Sequence, residues 1–410
     1  MTTPDSALAT NDWAKLWPLD RGLIFLNHGS FGATPTAVLD YQTKLRAELE
    51  GNPVRFLNRE LDDRLDEARA ALGTFIGADA DDLAFVVNAT SGVNAVLRSR
   101  QFAAGDELLT TDHAYNACKN TLQFVADRAG ARVVVAPVPF PLTRASEVLD
   151  AIMAKVTPRT RLALVDHVTS PTGLVLPIAP MVAELSRRGI DVLVDGAHAP
   201  GMVPLDLNAL GATYYSGNCH KWICAPKGSA FLWVRRDRHA DLHPTTISHG
   251  FAAAKPGRTK FHLEFDWPGT NDPTAWMAVP KAIEYMGSLV RGGWPALMNR
   301  NRELALEARR LLCAVAGTPP ACPEDMIGSL ASVRLPDGLT LDIGWRRPDP
   351  IQRRLFDGWG IEVPINSWPA PPKRQVRISA QLFNSRDHYV RLAEALEKEL
   401  AAERAGATRA

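Results

Sequence analysis

Cysteine is scarce in this sequence, and its spacing fits neither disulfide nor metal chemistry. The chain has 410 residues and five cysteines, with no C-x-x-C pair among them. An odd, scattered set of this kind argues against a disulfide framework and against a structural zinc site. We therefore predict no metal centre, and we interpret most of the cysteines as buried thiols.

Strong net charge and long apolar runs are also missing. The formal net charge of +1 gives no bulk attraction for nucleic acid or for anionic lipid. No apolar stretch approaches the roughly 20 residues of a membrane-spanning helix. Residues 1–20 lack the basic segment followed by an apolar run that marks a secretory signal. We expect a cytoplasmic protein with a small-molecule substrate and with neither nucleic-acid nor membrane partners.

What is present is the pattern of an α/β protein. With 46% hydrophobic residues the chain can bury a large core. Between Leu83 and Val234, short apolar strands alternate with helical segments, which predicts a mainly parallel central sheet covered by helices. After Gly287 the pattern changes to helices and shorter strands, which predicts a smaller C-terminal α+β domain. The predicted division is a leader (1–20), a large domain (21–286), a small domain (287–405) and a frayed tail (406–410).

Polar, loop-forming residues follow most of the predicted strands. In open α/β sheets, ligands bind beyond the carboxyl ends of the strands. One site built from several of these loops is therefore expected. The loops are Asn88–Gly92, Asp112–Asn116, Asp166–Ser170 and Asp195–His198.

Asp195 and Lys221 form the most informative pair in the chain. Asp195 ends an apolar strand, and Lys221 lies in a largely uncharged segment that continues into Trp222. A lysine can form a Schiff base with an aldehyde, and a carboxylate can keep a pyridine nitrogen protonated, so that the ring withdraws electrons from a carbanion. The pair predicts pyridoxal 5′-phosphate as the cofactor.

A phosphate group has a suitable place after the first strand of the large domain. Residues 88–94 follow that strand and open a helix, so free backbone N–H groups, hydroxyls and the helix dipole can meet an anion. An ordinary helix cap would use the same residues. His198 and His220 lack a third ligand at metal spacing, and we interpret them as hydrogen-bonding residues around the cofactor.

The order of these segments resembles the class V aminotransferase group of fold-type I pyridoxal phosphate enzymes. Within that group, three segments resemble the isopenicillin N epimerase branch, over a resemblance that covers roughly residues 20 to 400. The three segments are Phe25–Gly32, Gly217–Trp222 and Val376–Asn384.

The resemblance assigns cofactor roles to individual residues. It makes Lys221 the Schiff-base lysine and Asp195 the partner of the pyridinium nitrogen, and it places His198 near the phenolic oxygen of the cofactor. His113 and Tyr115 are both candidates to stack on the ring, and the sequence does not separate them. We assign His113 to the cofactor and Tyr115 to the catalytic group. The residues expected to hold the phosphate are Thr90, Ser91, Asn218 and His220.

The resemblance also implies a substrate site and a shared dimer. Arg377 corresponds to the arginine that binds the substrate α-carboxylate, a task suited to a planar, bidentate donor. Asn27 and His28 are expected to lie beside the substrate. Thr270, in segment 267–272, corresponds to a residue that reaches the phosphate of a neighbouring subunit, which implies a homodimer.

The expected activity is chemistry at the Cα of an amino acid, with epimerisation as the first hypothesis. Lys221 is the expected base, and Tyr115, His28 or a water could return the proton to the opposite face. A C–S lyase of the hercynylcysteine sulfoxide lyase type is the second hypothesis, and an aminotransferase is the third. A cysteine desulfurase is disfavoured because residues 358–369, shortly before Arg377, contain no cysteine.

Overall fold

The computed structural model describes residues 12–338 and 348–407. The described strands are β1 (Ile24–Phe25), β2 (Leu83–Val86), β3 (Glu107–Thr111), β4 (Arg132–Ala136), β5 (Thr160–Asp166), β6 (Asp191–Gly196), β7 (Tyr214–Asn218), β8 (Ala230–Val234), β9 (Leu330–Leu335), β10 (Ile361–Glu362), β11 (Ile365–Ser367) and β12 (Arg374–Ser379).

Helices separate most of these strands. They are α1 (His28–Phe31), α2 (Thr36–Gly51), α3 (Leu61–Ile76), α4 (Ala89–Ser99), α5 (Asn116–Ala129), α6 (Ser146–Met153), α7 (Ile178–Arg187), α8 (Leu207–Leu210), α9 (Lys260–Phe265), α10 (Thr274–Met277), α11 (Val279–Ser288), α12 (Gly293–Ala316), α13 (Pro350–Trp359) and α14 (Arg386–Ala407). A π-helical segment at Arg55–Glu60 joins α2 to α3.

The large sheet has seven strands in the order β2-β8-β7-β6-β5-β3-β4. Strands β4, β3, β5, β6 and β7 run parallel, and β8 runs antiparallel to both of its neighbours. Strands β6 and β7 are buried along their whole length, and β5 is buried except at Arg161, because helices cover both faces. This confirms the predicted mainly parallel α/β architecture, and it adds strand β7, which the sequence analysis did not identify.

The C-terminal part forms a second, smaller sheet. Strands β11, β12 and β9 pair antiparallel in that order, and helix α12 packs on β9 and on α14. Strand β1 pairs in parallel with β10, so the N-terminal arm is hydrogen-bonded to the C-terminal part of the chain. The smaller α+β unit is therefore present, and the N-terminal arm lies against it.

The predicted domain boundaries differ from the ends of the helices. The division at 286/287 falls inside α11, which ends at Ser288. Helix α14 continues to Ala407, so residues 406 and 407 of the predicted frayed tail are helical. Residues 408–410 and most of the predicted leader, 1–11, lie outside the described residues. Over the two described ranges, no helix combines the length and the apolar character needed to cross a membrane.

Candidate active site

The carboxyl ends of the central parallel strands bring the candidate residues together. Asp195 lies near the end of β6, beside Asp166 at the end of β5. Lys221 follows β7, the neighbour of β6 on the other side. Adjacent parallel strands end at the same edge of the sheet, so the carboxylate and the lysine meet there although they are distant in sequence.

The Asp195 carboxylate is buried and is held at both of its oxygens. Its Oδ1 accepts a hydrogen bond from the Ala197 N–H at 3.0 Å, and its Oδ2 accepts one from the Cys118 thiol at 3.1 Å. Burial raises the pKa of Asp195, and both hydrogen bonds and the Lys221 charge act against that rise. The two donors fix the plane of the carboxylate, so its orientation is set before any ligand arrives.

Asp166 forms a second buried carboxyl group next to Asp195. Its side chain is 3% exposed, and its Oδ2 has no hydrogen-bond partner among the described residues. Burial and the neighbouring charge of Asp195 raise the pKa of Asp166 well above its ordinary value. Two carboxylates this close cannot both be charged without cost, and we interpret Asp166 as the protonated member of the pair.

The Lys221 amine has a histidine rather than a carboxylate as its neighbour. Its Nζ lies 3.0 Å from His198 Nε2, and no ion pair involving Lys221 occurs in the part of the chain that the structure describes. Burial lowers the pKa of Lys221 to about 7, with a further contribution from the positive charge of Arg377. Much of the amine is therefore unprotonated near neutral pH, as a nucleophile or a base requires.

The backbone of Lys221 is held by the N-terminal arm. The carbonyl oxygen of Lys221 lies 2.9 Å from His28 Nε2, and the other ring nitrogen of His28 accepts a bond from the Ala33 N–H at 3.2 Å. Gly32, with φ of 74°, lies so close that an added Cβ would be 1.9 Å from the His220 carbonyl oxygen. The arm thereby fixes the peptide that carries the lysine.

This contact contradicts the expectation that His28 binds the substrate or returns a proton to it. The ring of His28 is fully buried, and both of its nitrogens are occupied by the protein backbone. A histidine without a free nitrogen or accessible surface cannot exchange a proton with a ligand. What the structure shows is its contact with the backbone of Lys221.

Helix α4 begins beside β7, where the sequence predicts a phosphate site. The Asn88 side chain caps the helix by accepting from Ser91 N–H at 2.8 Å and from the Ser91 hydroxyl at 3.0 Å. Asn218 Oδ1 accepts from Ala89 N–H at 2.8 Å, which ties the end of β7 to the start of the helix. Thr90 lies in the same turn, so the predicted phosphate residues converge at a helix N-terminus.

His220 lies two residues after Asn218, the residue that bonds to the start of this helix. Its Nδ1 is 2.9 Å from the Ser229 carbonyl oxygen, so the ring donates there and directs Nε2 elsewhere. Burial lowers the pKa of His220 to about 4. A neutral His220 can therefore only accept a hydrogen bond at Nε2, which suits a donor such as a hydroxyl better than a fully ionised phosphate.

His113 and Tyr115 differ in what their rings can contact. His113 is 1% exposed, its Nδ1 is 2.8 Å from Thr172 Oγ1, and its ring packs edge-on against Trp368 at 4.6 Å between centroids. Tyr115 is 44% exposed, and its phenol is close enough to Asp195 and Arg377 to feel their charges. The burial of His113 goes against our assignment of that ring to the cofactor, and it favours Tyr115.

Arg377 is buried at the side of the site that faces the small domain. Its Nη1 donates to the Ser170 carbonyl oxygen at 2.6 Å, and its Nη2 donates to Ser30 Oγ at 3.0 Å. The Ser30 hydroxyl donates to Asn27 Oδ1 at 2.5 Å, and Asn27 Nδ2 donates to Glu362 at 3.3 Å. No ion pair joins Arg377 to a carboxylate within the described ranges, and its Nε has no hydrogen-bond partner there.

Thr270 is exposed in the segment between α9 and α10. None of the contacts described for this single chain joins Thr270 to Lys221, Asp195 or helix α4. The nearby Asp272 pairs with Arg46 at 2.8 Å. The expectation that Thr270 serves a neighbouring subunit stays a prediction.

The structure adds residues that sequence reasoning missed. Cys118 holds Asp195, Trp222 contacts His198, and Ser30 and Ser170 orient Arg377. Cys118 could have been found, because it lies in the first turn of the helix that follows the Asp112–Asn116 loop at the ligand-binding edge of the sheet. The two serines lie in segments that the sequence analysis identified, Phe25–Gly32 and Asp166–Ser170, but their contact with Arg377 joins distant parts of the chain and has no signal in the sequence.

Comparisons with known proteins agree with this geometry. The family model described as aminotransferase class V matches residues 24–335. The isopenicillin N epimerase of Amycolatopsis lactamdurans is 38% identical over 394 residues, covering 93% of this chain and 96% of that protein. A probable chloroplastic L-cysteine desulfhydrase of Arabidopsis thaliana is 32% identical over 397 residues, covering 90% and 82%. A solved variant of C-DES, with glycine covalently linked to its pyridoxal phosphate cofactor, matches with a TM-score of 0.76 at 22% identity over 93% and 98% of the chains.

Proposed function

Because this chain belongs to the aminotransferase class V family, we propose that it is an epimerase or racemase that inverts the Cα of an amino acid or an amino-acid derivative. Its cofactor is pyridoxal phosphate. The observation that carries the proposal is the meeting, at one sheet edge, of a buried lysine beside a neutral histidine, a fixed carboxylate and a buried arginine that has no carboxylate partner among the described residues.

The described residues fit this cofactor. Pyridoxal phosphate supplies an aldehyde that an amine can attack and a pyridinium ring that draws electrons from Cα. Lys221 would provide the amine, and Asp195 would provide the carboxylate for the ring nitrogen. At the start of α4, Thr90 would donate to the phosphate, whereas Ser91, whose N–H and hydroxyl both donate to Asn88 in this structure, would have to exchange that partner. An anion at the N-terminus of a helix is also stabilised by the helix dipole.

Arg377 and Lys221 divide the work on the substrate. Arg377 binds the α-carboxylate through the guanidinium N–H groups that are not bonded to Ser170 or Ser30, such as Nε–H. This contact orients the Cα–H bond. Lys221 takes the proton from Cα, because its amine is unprotonated near neutral pH. Asn27 supports the carboxylate site through Ser30.

Inversion at Cα requires a second proton donor besides Lys221. We propose Tyr115, because its phenol is accessible and lies near Arg377 and Asp195. Burial raises the pKa of Tyr115, so the hydroxyl keeps its proton and can donate it. His28 has no free ring nitrogen for this role.

A C–S lyase is the second candidate function. The similarity to a protein named L-cysteine desulfhydrase favours it, and loss of a leaving group from Cβ needs only one base, which Lys221 supplies. Hercynylcysteine sulfoxide lyase chemistry belongs to this class of reaction. Transamination, the third candidate, has no observation of its own in its favour.

Cysteine desulfurase chemistry has little support from the cysteines. All five are buried. The nearest to the site is Cys118, whose pKa is raised well above its ordinary value by burial and by Asp195. A buried thiol that keeps its proton is a poor nucleophile.

We further propose a cytoplasmic homodimer with shared sites. Thr270 would contact the phosphate bound by a second copy of the chain, because its exposed loop is not joined to the site of its own chain by the described contacts. Sedimentation analysis of the purified protein tests the dimer, and a monomer that binds pyridoxal phosphate as tightly as the native protein would contradict the shared site.

Product analysis in deuterated water tests the proposed reaction. The purified protein is mixed with a panel of L-amino acids and S-substituted cysteine sulfoxides. Incorporation of deuterium at Cα with inverted configuration supports the epimerase. Release of pyruvate and ammonia would establish the lyase instead, and an unchanged substrate panel would contradict both.

Replacement of the lysine tests the centre of the proposal. We expect Lys221→Ala to lose turnover by about 10⁴-fold or more, because it removes both the amine that joins the cofactor and the base. The visible absorption band near ~420 nm should also disappear. Lys227→Ala, at the next lysine along the chain, is the matched control and should keep both. Substantial turnover by the Lys221 variant would refute the assignment.

A further inference from the structure

His198 lies between two nitrogen atoms of consecutive residues. Trp222 Nε1 donates to His198 Nδ1 at 3.4 Å, and His198 Nε2 lies 3.0 Å from Lys221 Nζ. Trp222 is fully buried and His198 is 1% exposed. The imidazole is therefore held between the indole and the amine.

The identity of the donors determines where the proton on His198 must lie. The indole N–H of Trp222 can donate but cannot accept. Nδ1 of His198 must therefore carry a lone pair, and the single proton of the neutral ring must be on Nε2. A protonated imidazole would direct an N–H at the indole N–H, and it would lie beside Lys221 and Arg377.

The tautomer of His198 also determines the protonation state of the Lys221 amine. If Nε2 of His198 carries the proton, it donates toward Nζ, and Nζ must accept. An ammonium group has no lone pair, so only the neutral amine can complete this arrangement. The geometry points to a positioning role for Trp222: through the tautomer of His198, its indole N–H selects the unprotonated amine of Lys221.

Electrostatics agree with this chain of hydrogen bonds. Burial lowers the pKa of His198 well below its ordinary value, so the ring is neutral. Burial and then Arg377 lower the pKa of Lys221 to about 7, against the opposing effects of Asp195 and Cys118. The titratable or charged groups that act on this pair are Arg377, Asp195, Cys118, His28 and His220.

The inference rests on the proposed role of Lys221 as the reactive amine. It explains why that amine is unprotonated when the cofactor first binds. Only the unprotonated amine can add to the aldehyde of pyridoxal phosphate, an addition that is completed by the loss of one water. The rate of capture by the cofactor-free chain should therefore rise with pH through the pKa of Lys221 and level off above it.

The first measurement uses the native full chain and requires no substitution. Nitrogen NMR of the chain with ¹⁵N-labelled histidine should show His198 with a protonated Nε2 and an unprotonated Nδ1, assigned by the loss of its signals in His198→Asn. A protonated Nδ1 would overturn the inference. This readout does not depend on turnover, so it remains decisive even if the proposed reaction is wrong.

The second measurement uses Trp222→Phe, which keeps a buried aromatic ring and removes the indole N–H. The tautomer of His198 is then free to change and to accept from an ammonium group. We expect the pH midpoint for capture of pyridoxal phosphate to rise by about half to one unit, the size of one lost hydrogen bond. An unchanged midpoint would overturn the proposal.

Trp233→Phe is the matched control for loosened packing. Trp233 is also buried, at 4% exposure, but its Nε1 has no hydrogen-bond partner in the described part of the chain. It should lower stability without moving the pH midpoint or the tautomer of His198. An equal shift in both variants would assign the effect to packing and would contradict the role of the indole N–H.

Discussion

Two buried arginines on strand β12 have opposite electrostatic surroundings. Arg374 is 2% exposed and donates to the buried carboxylate of Asp349 at 3.0 Å and to Glu403. Burial alone would lower the pKa of Arg374, but the two carboxylates raise it above the ordinary value. Arg377 is 5% exposed, and burial lowers its pKa to about 10, with only neutral oxygens as its hydrogen-bond partners in the described residues.

The position of each arginine on the strand explains this difference. Side chains alternate between the two faces of a strand, so residues an odd number apart point in opposite directions. Arg374 points toward the start of α13 and the end of α14, where Asp349 and Glu403 lie. Arg377 points toward Ser170 of the large domain and Ser30 of the N-terminal arm.

The contrast supports our proposal that the charge of Arg374 stabilises the fold whereas the charge of Arg377 binds a ligand. A buried cation costs free energy unless an anion lies beside it. The protein provides that anion for Arg374 from its own chain. For Arg377 the described residues provide only neutral hydrogen-bond partners, which is why we propose that a substrate carboxylate supplies the missing charge.

The largest expected effect is the loss of stability in Arg374→Ala. Removing one partner of a buried ion pair leaves Asp349 uncompensated, and we expect the free energy of unfolding to fall by about 3–5 kcal/mol. Urea denaturation measures this change. The KM of the folded fraction should not change, and a large increase in KM would remove the distinction between the two arginines.

Arg377→Ala should raise KM strongly and lower stability only a little, the reverse of Arg374→Ala. We expect KM for an amino acid to rise by about 100-fold, close to 3 kcal/mol, because the substrate carboxylate loses a buried charged partner. The free energy of unfolding should fall much less than in Arg374→Ala. Arg377→Lys should recover only part of the affinity, because a lysine cannot bind a carboxylate at two points. An unchanged KM in both variants would show that the carboxylate binds elsewhere.

The sequence predicted the architecture because its signals are local. Apolar strands, the helices between them and the strand that ends near Asp195 all follow from periodicity and turn residues. The sequence does not predict strand β7, because its Ser-Gly-Asn end is polar and lacks the apolar run that marks the other strands. The polar end is buried because neighbouring strands and helix α4 cover it.

For the candidate site, the sequence predicts residue types and roles but not the contacts between the side chains. The proposed pairing of Asp195 with Lys221 follows from the chemistry of the two side chains rather than from topology, because the sequence analysis does not identify β7, the strand that precedes Lys221. The burial of both nitrogens of His28 depends on how the N-terminal arm packs against Lys221, and the burial of His113 depends on Thr172 and Trp368. Contacts between distant segments leave no periodic signal in a single sequence.

The smallest expected effect is that of Ser30→Ala, which tests how Arg377 is oriented. The Ser30 hydroxyl links Nη2 of Arg377 to Asn27, whereas Nη1 remains on the Ser170 carbonyl oxygen. Losing one such hydrogen bond costs about 1 kcal/mol, so KM should rise roughly fivefold with little change in kcat.

Ser288→Ala is the matched control, because the Ser288 hydroxyl is exposed and bonds only to the Tyr285 carbonyl oxygen of its own helix. It should leave KM unchanged. If Ser30→Ala also left KM unchanged while Arg377→Ala raised it, the guanidinium would be oriented by the backbone of Ser170 alone. A fall in kcat without a change in KM would instead place Ser30 near the reacting atoms, and the separation between binding by Arg377 and proton transfer by Lys221 would then fail.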